Sequence, residues 1–116
     1  MQIITDNIEI AKKYIGNQLS FSLLQTDLLD NSVDSLLKQL TDKKPIYTSD
    51  DNEESFFLYM FIIEYACDSQ YDVIHDFTSK NDDYTFPTIL IAHKGDKFHG
   101  QNKRKWESIE GNLHLT

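Results

Sequence analysis

Between Asp6 and Gly16 the residues Ile8, Ala11, Tyr14 and Ile15 recur at spacings of three, four and seven, which predicts a short amphipathic helix. Thr5 or Asp6 can cap its start, because either side-chain oxygen accepts from the free N–H groups of a first turn, and Gly16 with Asn17 supplies the stop. Leu19, Phe21 and Leu23 alternate with Ser20 and Ser22, the period of a short strand. A second helix is predicted from a cap at Asn31 or Ser32 through Val33, Leu36, Leu37 and Leu40. It ends over residues 41–44, since Pro45 cannot continue it.

Residues 49–54 are caps and acids, suited to the positive end of a helix dipole, and they predict a helix over 52–68. Its stretch 56–63 is apolar all round, which makes this the buried central helix. A buried strand is the alternative, because Phe, Tyr and Ile also favour strands. Beyond it, 71–77 alternates and predicts a strand, 78–85 reads as a loop, and 88–92 is a compact apolar run after Pro87 that predicts a buried strand. Residues 93–111 hold three of the four glycines and read as a long loop; 112–116 alternates and predicts a last strand. The fold class expected is α+β, about three helices with a small sheet built from 71–77, 88–92 and 112–116. Its last strand is expected at an exposed edge, a place where another chain can pair. No internal repeat or low-complexity segment interrupts the chain.

A length of 116 residues leaves room for one domain. The longest apolar run has eight residues, against about 20 needed to span a bilayer, so no membrane partner is expected. The start of the chain carries no positively charged leader, and the single Cys67 cannot form an internal disulfide; both point to a reducing, cytoplasmic setting. Cys67 lies in the most apolar segment and reads as a small core residue rather than a nucleophile.

The net charge of −8 argues against a protein that coats duplex nucleic acid, yet the charge is uneven. Residues 1–92 hold 6 Lys/Arg against 16 Asp/Glu, a net of −10, whereas 93–116 hold 5 against 3, a net of +2. The acidic, helix-rich part thus covers about 1–75 and a strand–basic loop–strand part covers 76–116. The four histidines lack tight metal spacing; His93, Asp96 and His99 could converge on a metal from one loop, but read more simply as exposed loop residues. The acids sit in caps and loops, and no pair stands out as general acid and base.

The chemically informative segment runs from Gly100 through Gln101, Asn102, Lys103, Arg104, Lys105 and Trp106 to Gly111, Asn112 and Leu113. Three consecutive cations neutralise an anion, Arg104 adds a planar fork of donors, and Trp106 offers a flat apolar face. That set suits a nucleotide or acyl-adenylate, and equally single-stranded nucleic acid, although the acidic body makes the latter the lesser expectation.

The run 87–116 resembles the ligand-binding loop of biotin–protein ligases. It has the buried strand ending in Ala92, then Gly100, Arg104, Lys105 and Trp106, then Ser108, Gly111, Asn112, Leu113 and Thr116, with the Trp-to-Gly-Asn-Leu spacing kept. The resemblance implies biotin and ATP with Mg as ligands, held by His99, Gly100, Gln101, Arg104, Lys105, Trp106, Gly111 and Asn112. It also implies transfer of biotin through its adenylate to a lysine of a biotin carrier protein. Departures are equally specific. Gly95 and Asp96 replace the family's Gln-Thr, Phe98 replaces the first loop glycine, Gln101 stands for an adenylate-binding arginine, and Ile109 for a proline. The family's upstream Ser-Thr-Asn motif has two weak echoes, Ser79-Lys80-Asn81 and Thr5-Asp6-Asn7, the second far from the loop in sequence.

The family's domain continues beyond the Gly-Asn-Leu strand and there supplies a catalytic lysine. Independent ligase activity is therefore not expected of this chain, and a truncated or degenerate relative, or one completed by a second chain, is. The alternative is a small acidic interaction module without enzymatic activity, whose apolar segment 56–63 docks a partner.

Overall fold

The computed structural model describes residues 1–66, 70–81, 84–95 and 114–115. Its strands are β1 (Gln2–Thr5), β2 (Ser22–Leu23), β3 (Tyr47–Asp50), β4 (Tyr59–Ala66), β5 (Thr88–Gly95) and β6 (His114–Leu115); its helices are α1 (Ile8–Ile15), α2 (Asn31–Leu40) and α3 (Gln70–Lys80). The strands form one mixed sheet in the order β2-β3-β1-β4-β5-β6. The central three, β1, β4 and β5, are parallel, and the outer pairings are antiparallel. The α+β class and the three helices agree with the sequence.

Parallel strands covered on both faces are apolar at every position rather than alternately. Cross-strand rows make this concrete. Ile4 lies beside Phe61 and Phe61 beside Leu90, and all three enter the core under α2 and α3 with Val33, Leu36, Leu37 and Phe77. Ile3, Ile62 and Ile91 point to the opposite face, where Ile10 and Ala11 of α1 cover them. Helices on both faces leave β4 buried at the centre.

That explains the main correction. The run 56–63 belongs to no helix: residues 59–66 form the central strand β4, the alternative reading of the same pattern. A continuous apolar run carries no period, and only its length of about eight residues favours a strand. Segment 71–77 is the converse. It lies in α3, because Val73, Ile74 and Phe77 stand one and four residues apart and reach the same core. Ile74 breaks the apparent alternation. The sheet therefore takes in β1 and β3, and not 71–77.

Asn7 caps α1, accepting from the Ile10 N–H at 3.1 Å, one residue beyond the expected caps; Gly16 at φ 83° ends the helix in the left-handed region that glycine enters freely. Asp30 caps α2, accepting from the Ser32 N–H at 2.9 Å, one residue before the expected pair. The strand expected around Leu19 to Leu23 is reduced to β2, which forms one edge of the described sheet; β6 forms the other, inside the span expected for the last strand.

Candidate functional site

The carboxyl ends of β1, β4 and β5 lie together. The chain leaves β1 into α1 on one face and leaves β4 into α3 on the other, so β1 and β4 are parallel neighbours whose connections diverge. Open α/β sheets bind ligands in the crevice that such a divergence creates.

Polar side chains are concentrated there. Asp6 follows β1 and is buried, with 5% of its surface exposed. Its Oδ1 accepts the Glu64 N–H at 2.9 Å and its Oδ2 accepts the Thr41 hydroxyl at 2.8 Å. Thr5 donates its hydroxyl to the Ile62 carbonyl at 2.7 Å and accepts the Asn7 N–H at 3.1 Å. Glu64 pairs with Lys43, and that ammonium, aided by the Asn7 side chain, holds the Glu64 carboxyl below the usual carboxylate range. Lys43 is raised in turn, chiefly by its hydrogen bond to Glu64.

His93 sits two residues before the end of β5 and is buried; its Nδ1 is hydrogen-bonded to the Tyr14 hydroxyl at 2.9 Å, with the two rings edge to face. This corrects the expectation of an exposed loop histidine. An apolar strand continued by a polar residue simply runs on, because His93 finds a partner on α1. Asp96 and His99 lie outside the described residues, and among those described no group of three or more His, Cys, Asp or Glu could hold a metal ion. His75, on α3, is exposed.

All eight residues expected to bind ligand, His99, Gly100, Gln101, Arg104, Lys105, Trp106, Gly111 and Asn112, lie outside the described residues, as does Cys67. What is described is their attachment. The chain leaves β5 at Gly95, on the carboxyl edge, and rejoins the sheet at His114, which pairs with Ala92. Of the two motif echoes, Ser79-Lys80-Asn81 is a helix end. Its Ser79 hydroxyl donates to the Asp76 carbonyl at 2.8 Å, and its Asn81 amide to the Phe77 carbonyl at 2.9 Å. Thr5-Asp6-Asn7 is the junction of β1 and α1, on the same sheet edge as Gly95 although 88 residues precede the latter from Asn7 onward.

Lys43, Glu64 and the buried role of Asp6 escaped the sequence reading. The signal available was the β-branched run Ile3-Ile4-Thr5 ending in Asp6, too short for a period. No family model, curated protein or solved structure matches the chain. Among the described residues, no helix is long and apolar enough to cross a membrane.

Proposed function

We propose that the chain binds a small anionic ligand of the nucleotide or acyl-adenylate class at the carboxyl edge of its parallel strands, as a biotin–protein-ligase-like protein of the cytoplasm. One observation carries the reading. The segment rich in Lys, Arg and Trp departs from the carboxyl end of β5 and returns as its antiparallel neighbour, so both its ends are anchored where α/β sheets receive ligands. The Thr5-Asp6-Asn7 junction, remote in sequence, lies two strands away on that edge.

In this reading Arg104 and Lys105 neutralise phosphate and Trp106 covers an apolar, planar part of the ligand. Gly100 and Gly111 let the backbone approach, and His99, Gln101 and Asn112 supply polar contacts. Biotin and ATP are the ligands tested first, with Mg as the counterion of ATP. A biotin carrier protein or a second chain is the expected partner.

The test is a thermal-shift titration with biotin, ATP and Mg, both together, and a non-hydrolysable biotinyl-adenylate mimic. A ligand at 100 times its Kd stabilises by about 2.7 kcal/mol. The expected result is stabilisation by the mimic that disappears in the Arg104→Ala/Trp106→Ala variant. No shift with any ligand from a cooperatively folding sample, or a shift indifferent to the double substitution, overturns the reading.

A further inference from the structure

The opposite, amino edge of the sheet carries a feature that the ligand reading leaves unused. Between β3 and β4 the chain displays Phe56, Phe57 and Leu58, with 78%, 36% and 48% of their surfaces exposed, although Phe61, Ile62 and Ile63 just beyond are buried. The Phe56 and Phe57 rings contact each other edge to face at 5.4 Å. Exposed Asp50, Glu53 and Glu54 precede them, with Asp51 half-buried between.

The connection is held at both ends. Asp51 accepts the N-terminal ammonium on its carbonyl and donates its N–H to the Met1 carbonyl, each at 2.9 Å. Leu58 donates to the Pro87 carbonyl and accepts from the Gln2 N–H, again at 2.9 Å. Side-chain turns at Asp51 and Ser55 brace it between, each oxygen accepting a backbone N–H two residues on. Two aromatics on a braced connection cost little ordering entropy when a partner covers them.

Charge selects the partner. Asp50, Asp51, Glu53 and Glu54 lie in the connection itself, and the sequence has no Lys or Arg between residues 45 and 79. A surface of that sign repels nucleic acid and anionic lipid headgroups, and within a chain of net charge −8 it repels a second copy as well. A basic protein segment is attracted.

We propose that residues 50–58 are a docking surface for a protein partner whose contacting segment is basic and amphipathic, its apolar stripe covering Phe56, Phe57 and Leu58 and its flanking Lys and Arg meeting Asp50, Glu53 and Glu54. This narrows the apolar segment 56–63 of the interaction-module reading to its exposed first three residues, and it stands independently of the ligand site at the other edge.

The experiment titrates the chain with an amphipathic Lys/Leu peptide, followed by amide NMR shifts and calorimetry, beside a Lys/Gly peptide of equal charge. The expected result is saturable binding of the Lys/Leu peptide with shifts concentrated at 50–58, weakened by salt and reduced about tenfold or more in Phe56→Ala/Phe57→Ala and in Glu53→Gln/Glu54→Gln. Both variants change exposed side chains, and an unchanged melting temperature verifies their fold. No binding, equal binding of the Lys/Gly peptide, or shifts spread over the acidic surface overturns the proposal. So does self-association by sedimentation that Phe56→Ala/Phe57→Ala abolishes, which would make the occupant a second copy, and so does binding to duplex DNA or an anionic vesicle through the same residues.

Discussion

The buried carboxylate of Asp6 accepts the backbone N–H of Glu64 at 2.9 Å, carrying the contact between β1 and β4 one step past the last paired residue of β1. Its second oxygen holds the Thr41 hydroxyl at the end of α2, so one side chain joins two strands and a helix. Asp6→Ala leaves two partly buried donors without their acceptor and is expected to cost about 1–3 kcal/mol of unfolding free energy. Asp6→Asn is expected to cost less, because its oxygen still accepts from Glu64 while its amide cannot accept from Thr41. Urea unfolding of both variants measures this, and equal losses would show that the Glu64 contact contributes nothing.

Phe61 and Phe56 are five residues apart and face opposite fates, one fully buried and the other 78% exposed. Phe61→Ala opens a cavity beneath α2 and α3 and is expected to cost about 3–5 kcal/mol. Phe56→Ala is expected to stay within about 0.5 kcal/mol of the wild type. Comparable losses in the two would place both in a core and contradict the strand boundary at Tyr59.

The same pair shows what was legible in the sequence. Helices α1 and α2 were readable because their apolar residues keep the helical period over two or more turns beside recognisable caps, although each cap lay one residue from its expected place. β5 was readable as an apolar run after Pro87. Residues 56–63 were not decidable, since a strand buried on both faces has no polar side to reveal its period. β1 and β3 have four residues each and offer too few positions for any period, and their identity as strands comes from pairing across more than 40 residues. At the candidate site the basic and aromatic composition of the 96–113 segment was visible in the sequence. Its attachment to the edge that bears Asp6, Glu64 and His93 was not, because only the strand order brings them together.

Lys43 and Glu64 make stability depend on pH in a defined sense. The Glu64 carboxyl is held below its ordinary value of 4.5, chiefly by the hydrogen bond from Lys43, so its contribution is present above that value and is lost as pH falls through the depressed one. Lys43 is held above its ordinary 10.5, so its contribution persists below 10.5 and is lost at higher pH. The side chains are 49% and 30% exposed, which limits the pair to about 1 kcal/mol or less, screened by salt. Glu64→Gln is expected to lower the melting temperature by a constant amount between neutral pH and pH 9, with the difference closing as pH falls below 4.5 and through the depressed value. A difference that persists in strong acid would assign the effect to lost packing.

Tyr14 and His93 tie α1 to the strand from which the basic segment departs, through a hydroxyl-to-Nδ1 bond and an edge-on ring contact with centroids 6.0 Å apart. Tyr14→Phe removes the bond and keeps the ring, and is expected to cost about 1 kcal/mol. Tyr14→Ala removes both, and is expected to cost about 3 kcal/mol. Burial raises the Tyr14 phenol above its usual 10.0, and it raises Tyr59 and Tyr84 in the same direction. The unfolded chain therefore ionises first as pH climbs past 10, and stability falls from there. Removing one of the three phenols in Tyr14→Phe makes that alkaline fall shallower, while the loss at neutral pH reports the hydrogen bond alone. Thermal melts of wild type and Tyr14→Phe from pH 7 to pH 11 separate the two effects. Parallel curves across that range would mean that the Tyr14 phenol ionises equally readily in the folded and unfolded chain, and that its burial does not hold the proton.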